Sequence, residues 1–188
     1  MTKYLIDDDF GLLDWWGQLD HLPAWRRARV LRLRHESDRR QSVAAWLLLR
    51  RCCRELLGLS EVPAVAHSAS GKPFFPTLPD VYFNLSHCPV AVACAMASEP
   101  VGIDIEAVTT LDIDVARHVL ADNELQQVMD DPHPAVAFTR LWTMKESLLK
   151  RTGKGISSDL KSLLIDAGQF HTVTDANGRW VCSVTPWA

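Results

Sequence analysis

No stretch of the 188-residue sequence stays apolar long enough to cross a bilayer, which takes roughly 20 residues as a helix. Arg50, Arg51 and Arg54 interrupt the best candidate. The N-terminus carries Asp7, Asp8 and Asp9 where a secretory leader would be basic and then apolar. Both absences point to a cytoplasmic protein without a membrane partner. There is no C-x-x-C pair among the five cysteines, two of which, Cys52 and Cys53, are adjacent. An odd count without metal-ligand spacing argues for buried, reduced thiols, not a disulfide framework or a zinc site. Also missing are G-x-x-x-x-G-K and G-x-S-x-G, which sets aside a P-loop nucleotide hydrolase and an α/β-hydrolase. A balance of 47% hydrophobic to 23% charged residues is that of an ordinary globular chain. The length suits one compact domain or two small halves sharing a core.

What is present in excess is positive charge in one place. Net charge is −3, yet ten of the twenty Lys and Arg residues lie between Arg26 and Glu55, against three acids (Glu36, Asp38 and Glu55). Such a cluster suits nucleic acid, an acidic protein or a phosphorylated small molecule. It equally suits a solvated helix face whose Arg stems cover the core. An overall pI of about 6.1 and the lack of interleaved aromatics in the basic stretch weigh against a nucleic-acid partner.

Periodicity predicts the elements. Tyr4-Leu5-Ile6 reads as a strand and Arg26 to Arg34 as a helix. A core helix follows, capped by Ser37 or Asp38 and ended by Gly58, with Val43, Trp46, Leu47, Cys53, Leu56 and Leu57 on roughly helical spacing. Three β-rich runs, Val81 to Leu85, Val90 to Ala97 and Val101 to Ile105, predict an antiparallel meander through the Ser98-Glu99-Pro100 turn. Short helices over Asp114 to Leu120 and Asn123 to Met129 precede a long one, Pro134 to Arg151, with Gly153 just beyond. Strands over Leu163 to Ile165, Phe170 to Thr174 and Trp180 to Val184 complete the chain, the last two around an Asn177-Gly178 turn. The fold class is α+β, with similar halves over residues 1–100 and 101–188 and a functional cleft expected where they meet.

Three segments carry chemistry. In Val101-Gly102-Ile103-Asp104-Ile105-Glu106, strand alternation puts Asp104 and Glu106 on one face. Two acids on an otherwise apolar strand are costly unless solvated, paired or bound to a cation, and phosphate-completed carboxylate sites suit Mg²⁺. A strand end emerging into water is the plain alternative. On the long helix, Trp142, Glu146 and Lys150 recur every fourth residue. An exposed ion pair accounts for the last two, while a site wall accounts for all three. Asn84-Leu85-Ser86-His87 closes an apolar strand, and its His can meet a phosphate or a nearby carbonyl. Gly71-Lys72-Pro73 is a turn whose lysine can reach a ligand.

In order, G-K-P, N-L-S-H, V-G-I-D-I-E and then W-T-M-K-E-S-L-L-K-R-T-G-K-G resemble the 4′-phosphopantetheinyl transferase superfamily. The nearest group is the surfactin-synthetase-activating type, with both halves in one chain. The resemblance spans about residues 25 to 156, and Asp38-Arg39-Arg40 also matches the family's acid-Arg-Arg segment. It implies two α+β halves related by a pseudo-twofold axis with coenzyme A between them. It implies a Mg²⁺-dependent transfer of 4′-phosphopantetheine from coenzyme A to a serine of an acyl, aryl or peptidyl carrier protein, releasing adenosine 3′,5′-bisphosphate. That places the chain in fatty acid, polyketide or nonribosomal peptide biosynthesis. Asp104, Glu106 and Glu146 would hold the metal, Glu146 and Lys150 would be catalytic, and Arg40, Lys72, Ser86 and His87 would contact coenzyme A. Glu124 matches a further site acid of the family or is a helix-face charge. Ala28 stands where a relative can carry lysine, so Arg26, Arg27 or Arg29 would reach the 3′-phosphate instead. The apo carrier protein is the expected partner, and the chain is expected to be a monomer. A phosphohydrolase using the same acids and a nucleic-acid-binding module using the basic cluster are the rival readings.

Overall fold

The computed structural model describes residues 1–153, 160–163 and 169–186. In chain order the main elements are β1 (Lys3–Asp7), α1 (Ala24–Arg32), α2 (Glu36–Leu57), β2 (Ala66–His67), β3 (Pro73–Phe74), β4 (Tyr82–Cys88) and β5 (Ala91–Ala97). There follow β6 (Gly102–Ala107), α3 (Ile113–Val119), α4 (Asp122–Asp130), α5 (Pro134–Thr152), β7 (His171–Thr174) and β8 (Trp180–Thr185). This is an α+β fold.

The strands form two three-stranded antiparallel sheets, ordered β1-β5-β4 and β6-β8-β7, and the small β2–β3 hairpin. The meander expected through residues 81–105 is therefore half present. β4 and β5 pair, but β6 leaves them and pairs with β8. A run of strand-forming residues does not say which partner a strand finds, because long-range hydrogen bonding decides that. The helices match closely, with one correction at an end: α2 begins at Glu36 behind His35, and neither Ser37 nor Asp38 caps it. Gly58 and Gly153 end α2 and α5 in the left-handed conformation, as glycine past a helix end does. The expected strand over 163–165 falls mostly outside the described residues.

Alternation along β5 sets the layering. Val92, Cys94 and Met96 face α2 and share its core with Val43, Trp46 and Leu49. Ala91, Ala93, Ala95 and Ala97 face the other way and pack with Val101, Ile103, Ile105 and Val184. Alanines on this face let the second sheet lie close against the first. All five cysteines are buried and free, as their spacing predicted.

The second sheet is covered by α5, whose inner face is Thr139, Thr143 and Ser147. These hydroxyls bond carbonyls of their own helix one turn back, at 2.8–3.0 Å, so small polar groups are buried without an orphaned donor. Their size brings the helix onto the strand. A Cβ on Gly102 would stand 1.8 Å from the Ser147 carbonyl oxygen and 2.6 Å from the Arg151 nitrogen. Both obstacles are backbone, so no rotamer change relieves the clash. Gly102→Ala is expected to lose about 3 kcal/mol or more of unfolding free energy in urea titration. Gly178→Ala, strained only by its positive φ at a turn, should lose about 1 kcal/mol. Equal losses would contradict the close approach.

Candidate active site where β6 meets α5

Because Gly102 admits α5, the acids of β6 and the stripe of α5 share one small volume. Asp104 is 1% exposed. Its Oδ1 accepts hydrogen bonds from Ser86 Oγ at 2.8 Å and from Lys150 Nζ at 2.5 Å. Lys150 Nζ also donates to Ser86 Oγ at 2.9 Å, closing a triangle between β4, β6 and α5. Among the described residues, Asp104 Oδ2 and Glu146 Oε1 are buried with no hydrogen-bond partner. Buried carboxylate oxygens without a donor are costly and call for a cation or water. The same described residues hold no ready-made group of three His, Cys, Asp or Glu side chains at metal-ligand spacing.

The acids repel one another. Burial, then the Asp104 charge, raises the Glu106 carboxyl to about 7 against a pull from Lys150. Burial and Asp104 raise Glu146 as well. Three carboxylates with one ammonium between them leave local negative charge, a donor set suited to a hard dication.

β4 alternation separates two residues that the sequence places side by side. Ser86 points toward Asp104, whereas His87 points to the opposite face, where Nδ1 meets Gln41 Oε1 at 3.0 Å. Burial, then Lys150 and Arg26, lower the His87 pKa, although part of the ring is exposed. His87 lines a cavity of about 210 Å³ with Arg26, Arg29 and Trp25. Gly71 and Pro73 belong both to this cavity and to one of about 260 Å³ lined by Glu146, Lys150 and Gly153. The two cavities share the turn of Gly71 and Pro73 as a common wall, with Glu146 and Lys150 in one and the basic residues in the other. Arg26 Nη2 donates to the Ser42 carbonyl at 2.9 Å, its guanidinium lies over the Trp46 ring, and burial lowers its pKa to about 10. Arg27 points away, paired with Asp20 at 2.9 Å. Arg40 pairs with Glu36 at 2.8 Å, and its Nε is buried without a partner among the described residues.

Residues 100–184 match the family model described as the 4′-phosphopantetheinyl transferase superfamily. The chain is 34% identical over 146 residues to a 4′-phosphopantetheinyl transferase of Bacillus subtilis, covering 76% of this chain and 65% of that protein. It is 36% identical over 140 residues to 4′-phosphopantetheinyl transferase gsp of Aneurinibacillus migulanus, covering 72% and 58%. It is 30% identical over 141 residues to 4′-phosphopantetheinyl transferase AcpT of Salmonella typhi, covering 69% and 71%. The chain belongs to the 4′-phosphopantetheinyl transferase superfamily. It spans less than two thirds of the length of the first two relatives.

Within this phosphopantetheinyl transferase scaffold, Asp104, Glu146, Lys150 and Ser86 come together, with Glu106 beside them. Glu106 also borders a separate hollow lined by Phe138 and Trp142. Glu124 lies elsewhere. It forms a buried ion pair with Lys145 at 2.8 Å, and Lys145 Nζ also donates to the Leu160 carbonyl at 2.6 Å. Gln41 was not singled out from sequence, nor were the close-packing roles of Gly102 and Ser147. Only a helix-on-strand contact reveals the latter two.

The Glu106 shift has a pH consequence in the metal-free protein. Its folded pKa of about 7 lies above the ordinary 4.5, so the folded state binds more protons between those values. The destabilisation is absent below pH 4.5, grows as pH rises and is complete above 7. Glu106→Gln should therefore stabilise the EDTA-treated protein at pH 8, by roughly 1–2 kcal/mol after solvent screening, and have little effect at pH 4. Denaturation at both pH values checks this; an equal effect at both would contradict it.

Proposed function

We propose that this chain transfers the 4′-phosphopantetheine arm of coenzyme A to a serine hydroxyl of an apo acyl, aryl or peptidyl carrier protein. The observation that carries the reading is the pair of buried oxygens without a partner among the described residues, Asp104 Oδ2 and Glu146 Oε1, beside a cavity lined by Glu146 and Lys150 that shares the wall of Gly71 and Pro73 with a basic one. Coenzyme A has this layout of charge: a pyrophosphate at one place and a 3′-phosphate at another. The cavity beside Glu146 and Lys150 is walled by residues before 100 and by α5 after it, in keeping with halves over 1–100 and 101–188.

Asp104, Glu106 and Glu146 fit Mg²⁺, which when bound would neutralise charge on the pyrophosphate oxygens. Glu146, raised toward neutrality by burial, is the base that takes the serine proton directly or through water. As that proton leaves, the serine oxygen bonds to the β-phosphorus. The bond from β-phosphorus to the bridging oxygen breaks, and the electron pair departs with adenosine 3′,5′-bisphosphate. Lys150 donates to phosphate oxygens as their charge grows, exchanging its bond to Asp104 for one to substrate. Ser86 keeps the Asp104 carboxylate oriented through this exchange. His87, Arg40 and Arg29 bind coenzyme A. The protein is proposed to act as a cytoplasmic monomer in carrier-dependent biosynthesis.

Incubating the protein with an apo carrier protein, coenzyme A and Mg²⁺ should raise the carrier's intact mass by one phosphopantetheinyl group. EDTA and Asp104→Asn should each prevent this. Release of free phosphopantetheine with an unmodified carrier would instead identify a phosphohydrolase.

Arg29 and His87 are proposed to recognise the 3′-phosphate, since Arg27 is committed to Asp20 and Arg26 to Ser42 and Trp46. Losing one charge-assisted bond should weaken binding roughly 10- to 150-fold. Calorimetry should show dephospho-coenzyme A binding worse than coenzyme A, with the gap narrowed by Arg29→Ala and kept by Arg27→Ala. A gap unchanged in Arg29→Ala would remove that assignment.

A further inference from the structure

The Gly71-Lys72-Pro73 turn invites a direct role for Lys72 in gripping ligand, and its surroundings point elsewhere. An ammonium has three protons to donate. All three of Lys72's find backbone carbonyls: Val101 at 3.0 Å, Lys150 at 2.7 Å and Arg151 at 2.8 Å. The last two are among the end carbonyls of α5 that the helix itself cannot satisfy. A cation there also meets the negative end of the helix dipole. The first immediately precedes Gly102, where β6 touches α5.

The turn is built to deliver the ammonium there. Gly71 takes a positive φ of 82°, the Ser68 nitrogen donates to the Lys72 carbonyl at 2.9 Å, and the Lys72 nitrogen donates to Ser68 Oγ at 3.1 Å. The α5 cap packs on the same turn: a Cβ on Gly153 would lie 3.2 Å from Ser70 Oγ and 3.9 Å from Lys72 Cδ. One side chain thus joins the turn before β3, the start of β6 and the last turn of α5.

We propose that Lys72 is a positioning residue: its ammonium clamps the C-terminal end of α5 to the start of β6, holding Lys150 and Glu146 against Asp104, and does not bind coenzyme A. Lys150 is itself one of the clamped residues, its carbonyl held while its side chain reaches Asp104. Loss of the clamp lets the last turn fray and moves Nζ of Lys150 from its place. Displacements of about 1 Å at a reacting centre cost on the order of 100-fold in rate.

The kinetic part of this inference rests on the transferase reading; the clamp itself does not. Lys72→Met keeps the stem and removes every donor. Amide exchange at Arg151 to Gly153 should become faster in it than in the wild type, and kcat for carrier modification should fall about 10- to 100-fold. The Kd for coenzyme A, by calorimetry in EDTA, should stay within about twofold, well short of the tenfold that 1.4 kcal/mol represents. Lys72→Arg, which can still donate to the carbonyls, should recover part of kcat. Coenzyme A binding weakened tenfold or more with kcat unchanged would make Lys72 a ligand and overturn the proposal. A lowered Tm with unchanged kcat and unchanged exchange would reduce it to ordinary packing, which also overturns it. Should Lys72→Met fail to fold, Lys72→Gln, with two neutral donors, gives the same readouts. If the wild type neither binds coenzyme A nor modifies any carrier, the transferase reading falls, and exchange at the α5 end still decides the clamp.

Discussion

The contact of α5 with Gly102 is the constraint on which the rest depends. A hydrogen is the largest group that fits between that Cα and the Ser147 carbonyl. With the helix this close, the side chains one residue before Ser147 and three after it, Glu146 and Lys150, overhang the strand that bears Asp104 and Glu106. The inner face of α5 is therefore threonine and serine, small enough to pack and able to satisfy their own hydroxyls within the helix or across to Ser183. A leucine there would pack better by area and would push the helix from the acids.

Closeness has an electrostatic cost that the site turns to use. Asp104 is nearly fully buried, and the carboxyls of Glu106 and Glu146 are raised by burial and then by its charge. Lys150 offsets part of the repulsion through a single oxygen, leaving Asp104 Oδ2 and Glu146 Oε1 without donors among the described residues. A protein built for stability alone would pair or remove such atoms. Their persistence next to a lysine is the mark of a site under a constraint other than stability.

The first sheet contributes the other wall by the same alternation. β4 sends Ser86 toward the acids and His87 toward the basic helices, so adjacent residues face opposite ways. The β2–β3 turn borders both cavities through Gly71 and Pro73 while its lysine holds the end of α5. The turn and the end of α5 are thereby mechanically joined.

Much of this is legible in the residues. Helices α2 and α5, their terminal glycines, the strand character of residues 81–105 and the shared face of Asp104 and Glu106 follow from local periodicity, since φ/ψ preference and burial pattern are short-range properties. The spacing of Trp142, Glu146 and Lys150 marks one stripe of α5 for the same reason. The destination of β6, the meeting of Ser86 with Lys150 and the carbonyl partners of Lys72 are different. Each depends on a partner far away in the chain: Ser183 opposite Asp104, Lys150 above Ser86, Val101 beside Lys72. Sequence names the groups that can ionise, donate or accept. Tertiary structure alone decides which of them meet, because a hydrogen bond or a charge interaction is set by distance in space, and separations of 29 to 79 residues along the chain carry no distance information.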